Sequence, residues 1–387
     1  MVPVNSHIHT PYSFSAFKSL EEAFLRAYDE GVKVLGINDF FVTDGFSEFN
    51  RLAHQYTIYP LFNIEFVGLL KREQQQNIRV NDPANPGRTY FCGKGLDYPV
   101  SFSTRTLKQL NNVIKESQQQ IREMVNNVNA LLQSVHAPFR LSYEEIRSRY
   151  AKELVRERHI AKALRVMIVD AFGSEEEKRT FLTLLYGGKP PKANLTNINA
   201  FESELRSRLL KAGGAVFVPE DEHSFLPVSD LIRIIIDGGG IPCYPVLLDD
   251  PQGHFTEFEQ NPELLFQHLT ELGVRAVEFI PGRNDINILR KFVRFLNERN
   301  FLITFGTEHN TPEMLPMKVT ARGGVKLDDF LLQVNFEGAS VLAAHQQLRR
   351  EGKEGYLDAN GRCKTAQKEN FIRMGSTLIN RFLNQID

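Results

Sequence analysis

The sequence predicts an α/β barrel carrying a large helical insertion. Near both ends, short apolar runs alternate with helical stretches, the rhythm of βαβ units around a parallel sheet. The 387 residues are 42% hydrophobic, ample for one large core of the kind α/β barrels bury. Between these ends, residues 71–212 lose the strand rhythm and read mainly as helix. We assign residues 1–70 and 213–387 to the barrel. Residues 71–212 form a cap over its mouth that contributes partly to the barrel.

The elements follow in order. Val2 to Asn5 is a short strand candidate, leading into a loop with His7 and His9. Ser19 with Glu22 three residues later is a capping-box pattern, so a helix runs from there to Glu30 and stops at Gly31. Val34 to Ile37 and Ile58 to Phe62 are the next strands, with Asp39 and Glu65 just past their ends. Asp82-Pro83 and Asn85-Pro86-Gly87 mark a turn between two further strand candidates. The longest predicted helix spans 104–132, with a stripe of Leu107, Leu110, Val113, Ile114, Ile121, Met124, Val125 and Val128. Helices are also expected at 143–148, 152–170, 175–186 and 199–212. Strands resume near Val216 and continue at Ile241 to Tyr244, Ala276 to Ile280 and Leu302 to Phe305. A helix from Thr365 to Asn384 closes the chain.

Composition excludes several classes. The net charge is −1 and the pI near 6.8, so no global field draws the chain to nucleic acid or anionic membrane. Cys92, Cys243 and Cys363 are too few and scattered for a disulfide framework or thiolate zinc site. The apolar run at 232–248 is broken by Asp237, three glycines and two prolines, so it cannot span a bilayer. Met1 to His7 lacks a basic region followed by an apolar stretch. These features predict a cytoplasmic protein and leave its oligomeric state open.

In a parallel barrel, functional side chains project from the C-terminal ends of several strands. His7 and His9 follow the first, Asp39 the second and Glu65 the third, while Glu278 and Glu308-His309 end two late ones. Histidines and carboxylates together suit zinc, manganese or iron. A His-x-His pair alone carries little information, since two half-buried histidines in a turn give the same pattern. Gly187-Gly188-Lys189 lacks Walker spacing and follows a helix, so it is no phosphate loop.

The ordered set of motifs resembles the polymerase and histidinol phosphatase (PHP) family. NSHIHTPYS is similar to the opening HxHTxxS motif, and GINDFFVTDGFSEF to the second. Phe62-Asn63-Ile64-Glu65 is similar to Gly-x-Glu without its glycine. RERHIAKAL, residues 156–164, resembles an Arg-x-His-Ile-Ala segment of the phosphoesterase branch. GGGIPCYP resembles the strand ending Ala-His-Pro, and Gly306 to His309 the late Gly-Ser-Asp-x-His. The resemblance spans residues 1 to about 313.

It implies a distorted seven-stranded (β/α)7 TIM-like barrel that binds up to three divalent metals and hydrolyses phosphate esters. By the same resemblance His7, His9, Glu65 and Glu308 would form the surviving metal site. His309 would be a further candidate, one residue early for the family's last histidine. His159 matches the histidine of the phosphoesterase segment, with Arg156 or Arg158 as its partner.

Four positions depart from the pattern: Phe14, Phe40, Tyr90 and Tyr244 stand where the family has metal ligands. A full three-metal centre is therefore not expected, and one or two ions (Zn2+ or Mn2+, with Fe possible) remain. Phe40, Tyr90 and Tyr244 either stack a ring-bearing ligand or fill space left by absent ions. Glu308 or Asp39 would take a proton from water, or serve as ligands instead. Arg283, Arg158 and Lys189 are candidate phosphate partners, with Arg283 best placed.

The resulting expectation is a metal-dependent phosphoesterase acting on a small phosphorylated molecule. A non-catalytic scaffold descended from the same fold and a single-zinc amidohydrolase-like enzyme are the alternatives.

Overall fold

The computed structural model describes residues 1–219 and 225–384. Its strands are β1 (Val4–Ile8), β2 (Val34–Phe40), β3 (Tyr59–Leu69), β4 (Arg88–Lys94), β5 (Leu226–Pro227), β6 (Ile241–Val246), β7 (Ala276–Phe279) and β8 (Leu302–Phe305). Seven of them form a nearly closed barrel in the order β1-β2-β3-β4-β6-β7-β8, and β5 pairs only with the end of β3. The β1–β8 seam is joined by an Ile8–Glu308 bridge, with His9 N donating to Glu308 O at 2.7 Å and Glu308 N to His7 O at 3.0 Å.

The sheet departs from the expected parallel barrel at one strand: β4 runs antiparallel to both β3 and β6. The reason is local. β3 and β4 are the arms of a hairpin, paired down to Leu69–Arg88, with Leu70 N donating to Gly87 O at the base of the excursion. Asn81, in that excursion, donates to Pro245 O at 2.7 Å and Tyr90 O at 3.0 Å. It thereby ties the turn to β4 and β6. β4 thus starts at the barrel mouth and ends at the opposite rim.

Elsewhere the pattern-based elements form with shifted boundaries, the largest at β3, which runs past the expected Phe62 to Leu69 and so contains Glu65. Ser19 caps the helix Leu20–Asp29, accepting from Glu22 N. The expected strand near Val216 is absent, and the next strand among the described residues is β5. The stripe of the Thr104–Ser134 helix is buried except at Ile114, which is half-buried, and Leu107, which is exposed. The helices Tyr143–Tyr150, Glu157–Ala171, Glu175–Leu185 and Ile198–Leu205 pack with the second half of that long helix. Their cluster, including Met124, Val128, Leu164 and Phe201, is separate from the main barrel core.

Two long helices close the far side. Asp329–Arg350, which no apolar stripe predicted, packs on β8, β1 and β3 and against the terminal helix Lys368–Leu383. Gly338 lies against Ile303 O, and Gly375 against Ser340 O; a Cβ at either would fall within 2 Å of that oxygen, at 1.9 and 1.7 Å.

Candidate metal centre

A strand's side chains alternate between its two faces, so His7 enters the barrel while Ile8 faces the apolar layer. His9, one step beyond β1, falls on the same side as His7. Glu65 comes from β3, the next strand but one in the sheet. His7 Nε2 and His9 Nε2 are 3.2 Å apart, and Glu65 Oε2 lies 3.0 Å from His9 Nε2 and 3.6 Å from His7 Nε2. All three residues are buried.

Glu65 Oε2 has no hydrogen-bond partner. A buried carboxylate oxygen without one is costly, and burial pushes the Glu65 pKa up, with His7 acting the other way. Burial also lowers the pKa of His9 to about 4, opposed by Asp39 and Glu308. Two imidazole nitrogens and an unsatisfied carboxylate oxygen facing one point fit a divalent ion. The donor set matches zinc, manganese or iron.

His7 is held from behind. Its Nδ1 lies 2.6 Å from Glu278 Oε2, and Asn38 Nδ2 lies over the ring, 3.1 Å from Nδ1 and 3.0 Å from Nε2. Lys94 Nζ donates to Glu278 Oε1 at 2.5 Å, with both side chains fully buried. Burial alone would raise the Glu278 pKa, but Lys94 and His7 bring it down to about 2. Cys92 also joins this rear group, with Sγ 3.8 Å from Glu278 Oε2.

Other expected site residues serve elsewhere. Asp39 accepts from Thr10 N at 2.8 Å, Ser13 Oγ at 2.5 Å and Thr10 Oγ1 at 2.5 Å. Both its oxygens are engaged by the loop that carries His9, so it braces that loop, and it does not line the cavity. His309 has both ring nitrogens engaged, with Thr307 Oγ1 at 2.8 Å and Leu315 O at 2.9 Å, and stacks on Phe17. It therefore does not join the converging donors. His159 accepts from Arg156 N at 2.9 Å at the start of its helix and packs edge-on against Phe14; it does not line the cavity. Tyr244 points away from the site and donates to Glu259 at 2.7 Å, while its neighbour Pro245 lines the cavity instead. The reason is strand parity: Cys243 and Pro245 share the inward face.

A cavity of about 460 Å³, walled by the barrel mouth and the inserted helices, reaches the donor group at Glu65, while His7 and His9 lie behind its lining. Glu65 and Glu308 lie at its lining, with Phe14, Phe40 and Tyr90 beside them. Glu308 is not one of the converging donors. Its carboxylate is paired with Arg283 and accepts from Asn310 Nδ2 at 2.8 Å. Glu308 and His309 both have positive φ, at 63° and 54°, and such strained backbone collects at functional sites.

Six cationic residues line the cavity. Arg88, Arg206 and Arg283 are paired with Asp82, Glu157 and Glu308. Arg156, Arg158 and Lys211 make no ion pair with a carboxylate among the described residues. Instead the Arg156 guanidinium sits 4.5 Å from the centre of the Phe40 ring, and Arg158 5.4 Å from Phe14. Burial and the neighbouring Arg206 depress the Arg158 pKa to about 10, so it is still a cation at neutral pH. Phe40 stacks on the imidazole of His9 at 4.9 Å, so this ring already has a protein partner. Lys189 is outside the lining. From the sequence, Arg156 entered only as a candidate partner of His159, Glu278 only as a carboxylate at a strand end, and Lys94 not at all. Glu278 was signalled by its strand end, whereas Lys94 had no such signal.

No family model and no curated protein matches the chain. Solved structures do. A "putative metal-dependent phosphoesterase" from Bifidobacterium adolescentis superposes with a TM-score of 0.58 at 14% identity, covering 93% of this chain and 99% of that one. An amidohydrolase from Chromobacterium violaceum, with bound sulfate and no metal, has a TM-score of 0.51 at 15% identity, covering 86% and 97%. At these identities the likeness shows a shared TIM-like barrel fold.

Proposed function

We propose that the protein is a metal-dependent hydrolase of phosphate esters, with one divalent ion held by His7, His9 and Glu65. The observation that carries this reading is Glu65 Oε2, buried without a hydrogen-bond partner between two imidazole nitrogens beneath a cation-lined cavity. An ion in this position supplies Lewis acidity, acidifying water and polarising a phosphoryl oxygen. Arg156 and Arg158 are available to bind the anionic group of a substrate, since neither is neutralised by a carboxylate among the described residues. Arg283 keeps Glu308 ionised and gives the cavity a further guanidinium at the site's edge. Phe14, Phe40 and Tyr90 cover the donors and limit their contact with water.

The fold neighbours support hydrolysis in general, and a sulfate bound in one of them is in keeping with a barrel that accepts tetrahedral anions. A second reading, hydrolysis of a C–N or C–O bond, draws on the amidohydrolase neighbour and on the lysine inside the barrel. The cations of the cavity favour the phosphate ester.

The test is elemental mass spectrometry on protein purified without chelators or a histidine tag, paired with a phosphate-ester panel. About one equivalent of zinc, manganese or iron, lost in His7→Ala/His9→Ala together with phosphate release, is expected. Protein that takes up no ion even in excess metal would sink the proposal.

A further inference from the structure

The rear of the metal centre contains a fully buried lysine that the reading above does not use. Lys94 is the last residue of β4. Because β4 runs antiparallel to its neighbours, its inward residues descend from Tyr90 at the mouth through Cys92 to Lys94 near the opposite rim. The ammonium therefore enters the barrel from below. It meets Glu278 Oε1 at 2.5 Å and Asn38 Oδ1 at 3.4 Å.

The other oxygen of the same carboxylate, Glu278 Oε2, is 2.6 Å from His7 Nδ1. An ionised carboxylate can only accept, so this contact requires the proton of His7 on Nδ1. The lone pair of Nε2 is then left on the side of His9 and Glu65, with the Asn38 amide nitrogen 3.0 Å away. Without a cation to anchor its Oε1, a carboxylate this deeply buried would have nothing to hold its Oε2 against His7. Lys94 is the only cation that contacts Glu278 among the described residues.

We propose that Lys94 and Glu278 act together as a positioning relay: the ammonium anchors Glu278 by its Oε1, and Glu278 Oε2 fixes His7 in the tautomer whose Nε2 can bind a metal. The inference rests on the metal site proposed above. It assigns a purpose to a buried charge that otherwise costs stability, since buried ion pairs are often no better than apolar residues of the same volume. Carboxylates behind ligating histidines change metal affinity by about 10- to 100-fold when altered. Here that effect would depend on a residue from a different strand and the opposite end of the barrel.

The experiment has two readouts. The first is the tautomer of His7 in metal-free wild-type protein at pH 8, from long-range 1H–15N NMR of histidine-labelled chain, with the signal assigned by its loss in His7→Gln. The Nδ1–H tautomer is expected; Nε2–H or a doubly protonated ring overturns the proposal without any rear variant having to fold. The second is zinc affinity by competition titration in Lys94→Gln and Glu278→Gln, with circular dichroism as the folding check. Both folded variants should bind zinc about 10- to 100-fold more weakly than wild type. Wild-type affinity in a folded Lys94→Gln variant overturns the relay while leaving the metal site intact. A wild-type protein that binds no zinc removes the site itself, and the His7 tautomer still reports separately on the rear contact.

Discussion

At the level of single residues, charge balance decides what each polar group can do. Arg283 and Glu308 spend their charges on one another, whereas Arg156 and Arg158 lean on aromatic rings. A hydrogen bond to a charged group contributes about 1.5–3 kcal/mol, or about 10- to 100-fold in binding. Arg156→Met and Arg158→Met should therefore each raise KM for a phosphate ester by about that factor, with metal content unchanged; steady-state kinetics beside elemental analysis checks this. Glu65→Gln should instead abolish metal retention, because an amide offers a neutral oxygen where the two imidazoles need a charged third donor. His7, His9 and Glu65 were legible in the sequence because each follows a recognisable strand within a short motif. Lys94 was not: a lysine in YFCGKGL reads as a surface charge until the direction of β4 is known. Asp39 and His309 were legible as polar residues at strand ends. Their hydrogen-bond partners, which turn them to structural work, were not. Tyr244 failed for a simpler reason, a one-residue parity that sends alternate side chains to opposite faces of the sheet.

Among the elements, the helix Asp329–Arg350 shows where periodicity loses its power. Its middle, from Gly338 through His345, is buried residue after residue because the barrel lies on one side and the Lys368–Leu383 helix on the other. A helix covered on both sides has no polar face to alternate with, so no apolar stripe marks it. The single-sided helices, such as Leu20–Asp29, were readable for the opposite reason. The direction of β4 was hidden as well, since an apolar run has no arrow. Close approach rules the double-sided helix: by propensity alone Gly338→Ala or Gly375→Ala should stabilise by about 1 kcal/mol. The new methyl would instead strike Ile303 O or Ser340 O, and overpacking of this kind costs about 1–3 kcal/mol. The backbone atoms cannot step aside, so the second effect wins. Each substitution should lower the urea midpoint without changing the slope of the transition, whereas Gly187→Ala, where nothing lies within 4 Å of an added Cβ, tests the cost of positive φ alone.

Over the whole molecule, buried ionisable groups pull the acid stability in two directions. Burial lowers the pKa values of His9, His159 and His345 to about 4, 3 and 4. In the unfolded chain they titrate near 6.5, so below that pH the unfolded state holds more protons and stability falls as pH falls. Glu259 works the other way: burial raises it to about 7, so its contribution is present at low pH and is lost as pH rises from its unfolded value through 7. Glu65 and Asp39, also raised by burial, act in the same sense. Between pH 4.5 and 6.5 the buried histidines and these raised carboxylates therefore oppose one another in metal-free protein. Below 4.5 Glu278 joins the histidines, because, held near 2 by Lys94 and His7 against the effect of burial, it must take up protons to unfold the barrel. The histidine side of this balance can be removed. In His345 the ring bridges Gly239 O at 2.6 Å and Tyr356 N at 2.8 Å. His159 accepts from Arg156 N. A glutamine can supply the same donor and acceptor at either place without titrating. Each fully shifted group adds a slope of about 1.4 kcal/mol per pH unit. His159→Gln/His345→Gln should therefore shift the slope by on the order of 2 kcal/mol per pH unit relative to wild type, so that the variant gains stability over the wild type as pH falls from 6.5 to 4.5. Urea denaturation in the presence of a chelator measures the slope directly; a variant whose curve stays parallel to the wild type would mean that neither histidine is kept neutral by the fold.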